Sequence, residues 1–70
     1  MSSNYKERLV KALIKFYEGG IEAHKVNIEV LLGSNVGLAE HGDIIETIDA
    51  ELEKLASLED KLEYLKIHFS

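Results

Sequence analysis

The chain has no cysteine, no proline and no tryptophan, and only one methionine, among its 70 residues. Without cysteine there is no disulfide framework, no thiolate metal site and no thiol nucleophile. Without proline, no ring geometry interrupts a helix anywhere along it. Basic residues are the minority: eight Lys and Arg stand against thirteen Asp and Glu, a net charge of -5. That is the wrong sign for a nucleic-acid binder. No apolar run approaches the roughly 18 residues of a membrane span, and the first residues lack the charged-then-apolar order of a signal peptide. What is present, 46% apolar and 30% charged residues, predicts a folded, soluble, all-α chain. Its length permits one domain, 1–70, near the lower limit for folding alone.

Two periodic segments flank one glycine-containing stretch. The first, about 4–32, places Val10, Ile14, Tyr17, Ile21, His24, Ile28 and Leu31 on one stripe by alternate steps of four and three. Such spacing is that of helix-on-helix packing. The opposite stripe, Lys11, Lys15, Glu18, Glu22, Lys25 and Glu29, is charged at every step. Leu9, Leu13 and Phe16 widen the apolar face of the N-terminal half, which suits contact with more than one neighbour. Asn4 has the spacing to Glu7 of a capping box.

The second segment, about 43–69, opens on Asp43 with Glu46 at the same spacing. Ile45, Ile48, Leu52, Leu55, Leu58, Leu62, Leu65 and Phe69 form its apolar face. One extra step of three, from Leu55 to Leu58, predicts a stripe that drifts around the helix. Between the segments, about 33–42, Gly33, Ser34, Asn35, Gly37 and Gly42 stop a helix, and Val36 and Leu38 are expected to fold back over the hairpin end.

The expected architecture is a two-helix antiparallel hairpin. Two rods of about 40 Å touching along one seam leave apolar surface wet. Docking two hairpins into a four-helix bundle covers it, so self-association as a homodimer is expected. Charge favours packing helix 1, which carries +1, against helix 2, which carries -5, over helix 2 against helix 2. The preference is modest, because exposed pairs contribute under about 1 kcal/mol each. The expected interface residues are Val10, Ile14, Tyr17, Gly20, Ile21, His24, Ile28, Leu31, Ile48, Leu52, Leu55, Leu62 and Leu65.

Candidates for chemistry are few. Gly19-Gly20 in mid-helix either bends or breaks helix 1 or lets a neighbour approach the backbone at Gly20. A phosphate loop would need more glycines, a lysine and a preceding strand. His24 on the apolar stripe reads as a packed, hydrogen-bonded histidine, His41 as a loop residue at the entry to helix 2, and His68 as a cation suited to the helix C-terminus. No pair has the spacing of a helical metal site. Asp49/Glu53 and Glu59/Glu63 share helix faces but read as solvated surface, because acid–base work requires a cleft. No catalytic, metal or cofactor-binding residue is assigned, and no enzyme is expected.

Ile21-Glu22-Ala23-His24-Lys25-Val26-Asn27-Ile28-Glu29-Val30, then Asn35-Val36-Gly37-Leu38-Ala39-Glu40-His41, then Glu59-Asp60-Lys61-Leu62-Glu63 within 43–69, carry a resemblance. They resemble short uncharacterised helical proteins of marine cyanobacterial phages. The resemblance implies a viral origin, a helical hairpin, and a place in the virion or the host cytoplasm; it implies no reaction. The expected function is a non-enzymatic helical oligomerisation and protein-interaction module, with itself and a phage structural or host protein as partners and neither nucleic acid nor membrane among them. The alternative is an acidic inhibitor that occupies a basic groove of a host nucleic-acid enzyme.

Overall fold

The computed structural model describes residues 2–33 and 41–70, with side chains from 5–33 and 43–70. Two helices, α1 (Ser2–Gly33) and α2 (His41–Phe69), pack against each other, and no strand occurs among the described residues. Both helices run longer than their sequence signals. Asn4 and Asp43 were expected as caps at the starts, yet each falls inside the first turn because helical dihedrals continue upstream of it. His41 accordingly begins α2 rather than ending a loop. Asp43 still sets its carboxylate at the positive end of the α2 dipole, and Lys66 and His68 occupy the last turn, where cations belong. Thr47 Oγ1 donates to the Asp43 carbonyl at 2.7 Å. Expectations for Val36, Leu38 and the Asn4 side chain lie outside the described residues.

The α1 seam is the stripe its periodicity predicts. Val10, Ile14, Tyr17, Ile21, His24, Ile28 and Leu31 are all half-buried, while Lys11, Lys15, Glu18, Glu22, Lys25 and Glu29 are exposed. The α2 seam differs from its prediction in the N-terminal half. Its half-buried residues are Ile44, Ile48, Glu51, Leu55, Leu58, Leu62 and Leu65. These advance by strict alternation of four and three, so the expected drift is absent. Ile45 and Leu52 lie beside the seam, 55% and 48% exposed, and Phe69 at the C-terminal end is also exposed. Strict register keeps one face of each helix on the other over its whole length. It is kept here by admitting a carboxylate at 51 in place of the leucine next to it.

Helix α1 passes through Gly19-Gly20 without a break. The two glycines differ in their surroundings. A Cβ at Gly19 would meet nothing within 4 Å, whereas one at Gly20 would lie 2.9 Å from Leu58 Cδ1. Gly20 therefore lets Leu58 rest against the α1 backbone, which is the close-packing reading of this pair.

The product is a rod of 59 × 15 × 12 Å with a radius of gyration of 16.5 Å. A compact chain of this length has a radius of about 11 Å. Among the described residues no side chain is fully buried. Gly20→Leu is expected to lower the unfolding free energy by about 1–3 kcal/mol through overpacking, and Leu58→Ala in the same chain should recover part of that loss. Urea unfolding of the two variants followed by circular dichroism checks both.

Candidate functional site

Among the described residues, a polar cluster that joins the helices is built on the carboxylate inside the seam. His24 from α1 faces Glu51 from α2, with Nδ1 and Oε1 3.0 Å apart. An ionised carboxylate only accepts, so the Nδ1 hydrogen is the donor. Asn27, three residues further along α1, donates from Nδ2 to the same oxygen at 2.7 Å. Lys54 Nζ stands 3.8 Å from Oε2. The side chains of His24 and Glu51 retain 23% and 12% of their surface. Hydrogen bonds from His24 and then Asn27 hold the Glu51 carboxyl below its ordinary pKa; partial burial pushes the other way and loses, and the His24 and Lys54 charges add smaller downward pulls.

This geometry can hold a register. A polar group at a seam position tolerates only the alignment that supplies its partners, because any slip leaves a half-buried carboxylate unpaired. The grooves beside it, lined by His24, Lys54, Ser57 and Lys61 on one stretch and Asn27, Val30 and Thr47 on the next, are open to water. Among the described residues no group of three His, Cys, Asp or Glu is placed to hold a metal ion. No described helix is long and apolar enough to cross a membrane.

The predicted interface residues take two places. Val10, Ile14, Tyr17, Gly20, Ile21, His24, Ile28, Leu31, Ile48, Leu55, Leu62 and Leu65 are half-buried along the seam within the hairpin, and Leu52 is exposed outside it. Sequence reasoning missed Ile44, Glu51 and Asn27. The available signal was the strict count through 44, 48, 51 and 55, which an apolar-only reading rejects at Glu51, together with a histidine at a seam position of α1 that needed an acceptor.

A second surface lies on the far side of α1. Tyr5, Leu9, Ala12, Phe16, Gly19, Ala23, Val26 and Val30 follow one another by steps of four and three, none is charged, and all are exposed. The outer side of α2 is different: Glu46, Glu53 and Asp60 recur every seven residues, flanked by Asp49 and Glu63, all exposed.

Because the folded form lowers the Glu51 pKa, ionised Glu51 stabilises the hairpin. That contribution is fully present above its ordinary value of 4.5. It fades as pH drops from there through the depressed value. Glu51→Gln should flatten that part of the stability-against-pH curve relative to the parent chain, which denaturant melts at a series of pH values would show; parallel curves would remove Glu51 from this role.

No family model, curated protein or solved structure matches the chain.

Proposed function

We propose that this protein is a non-enzymatic helical interaction module that works as a self-associated pair of hairpins, a four-helix assembly. The observation that carries the reading is the amount of surface. The chain exposes 5633 Å². A folded monomer of 7.9 kDa exposes roughly 4,400 Å². The surplus is about 1,200 Å² per chain, against about 800 Å² per partner in a standard interface. Large apolar side chains supply part of it, among them Tyr5 at 71% and Phe16 at 70% exposure. Scattered exposed apolar side chains need no explanation, but Tyr5, Leu9, Phe16, Val26 and Val30 lie along one stripe of α1, which supports an interaction surface. The cyanophage resemblance suggests the setting, a virion part or an accessory that meets a host protein.

A second reading rests on the α2 carboxylates, which could fill a basic groove on a host nucleic-acid enzyme. Binding of that kind weakens steeply as salt rises, so salt-insensitive binding to such an enzyme counts against it.

Size-exclusion chromatography with light scattering tests the main reading. The expected mass at micromolar concentration is twice the 7.9 kDa of one chain. A folded species of single-chain mass would contradict self-association.

A further inference from the structure

We infer that two copies pair through the far side of α1, antiparallel, with Phe16 of each copy seated over the partner's Gly19; the inference rests on the self-association reading and specifies its interface. The stripe there has the spacing of a seam, yet the hairpin does not use it. Gly19 is the clearest sign. A glycine inside a helix costs about 1 kcal/mol relative to alanine. Within the hairpin nothing offsets that, since a Cβ at Gly19 would meet nothing within 4 Å. A side chain arriving from another helix would use the space.

The letters of the stripe choose an orientation. In an antiparallel pair of seams with a two-fold axis, steps of four and three can be aligned so that Phe16 meets the partner's Gly19, Ala12 the partner's Ala23, and Leu9 the partner's Val26. Large thus meets small at the centre, small meets small next to it, and Leu9 meets Val26 beyond. Flanking positions then face their own kind on the other copy. On one flank these are Arg8, Lys15, Glu22 and Glu29: basic in the first half, acidic in the second. The same alignment brings Lys15 beside the partner's Glu22 and Arg8 beside the partner's Glu29, each pair occurring twice. Shifting by one heptad either way sets Glu22 against Glu22 or Lys15 against Lys15. Parallel pairing stacks Phe16 on Phe16, leaves a void at Gly19, and gives those four charges no opposite partner. Size admits this register and excludes the parallel pairing, and among the antiparallel heptad registers charge selects it.

The two seams of α1 lie about 150° apart around the helix, at 3.5 residues per turn. A square bundle would need something near a right angle. The assembly is therefore a row, α2–α1–α1–α2, which also keeps the two acidic α2 helices apart.

The chain has no cysteine, so disulfide trapping is clean. Leu9→Cys and Val26→Cys chains, mixed and oxidised, should form the mixed dimer in excess over either homodimer. Gly19→Leu should keep or raise helicity while weakening the dimer by about tenfold or more, because the notch for Phe16 is filled. Lys15→Glu should weaken it too, and adding Glu22→Lys in the same chain should restore it. A dimer that traps Leu9→Cys with itself, or that ignores both Gly19→Leu and Lys15→Glu, overturns this interface and leaves self-association standing. A parent chain that stays monomeric overturns both.

Discussion

A two-helix rod cannot enclose anything, and this constraint governs the rest of the molecule. One seam removes one stripe of each helix from water, and only in part, as the absence of any fully buried described side chain records. Stability that a larger domain draws from a closed core must come from elsewhere. The chain has no disulfide to supply it. An alternating seam, a carboxylate held by two donors, and a second apolar stripe facing outward are consistent answers to one shortage.

The seam shows how specificity and stability are divided. Ile14, Ile21, Ile28, Leu55 and Leu62 contribute burial that is nearly indifferent to small shifts in alignment. Glu51 is not indifferent. Its bonds to His24 and Asn27 exist in one register, and Gly20 under Leu58 reinforces the same one. Replacing a paired polar group in a seam by a hydrophobe often does not lower stability; what such a pair secures is alignment.

Most of this architecture was legible in the letters. The α1 seam could be counted from Val10 to Leu31 without a missed step, because every position but His24 is apolar or aromatic and the neighbouring stripe from Lys11 to Glu29 is wholly charged. On α2 the count went astray for a physical reason. Ile44 and Ile45 are both apolar, as Leu52 is beside Glu51, and a rule that rewards burial alone takes the leucine. Only the partner helix reveals that Glu51 is satisfied. Gly19 and Gly20 are identical as letters, and their different roles depend on which of them Leu58 reaches. The hairpin expected from the two periodic segments is what α1 and α2 form.

Self-association of the kind proposed links folding to pairing, and the thermal midpoint measured by circular dichroism across nanomolar to high micromolar concentration reads that linkage. Linkage requires the midpoint to fall steadily on dilution. A cooperative transition whose midpoint stays constant over that whole range would show a hairpin that folds alone.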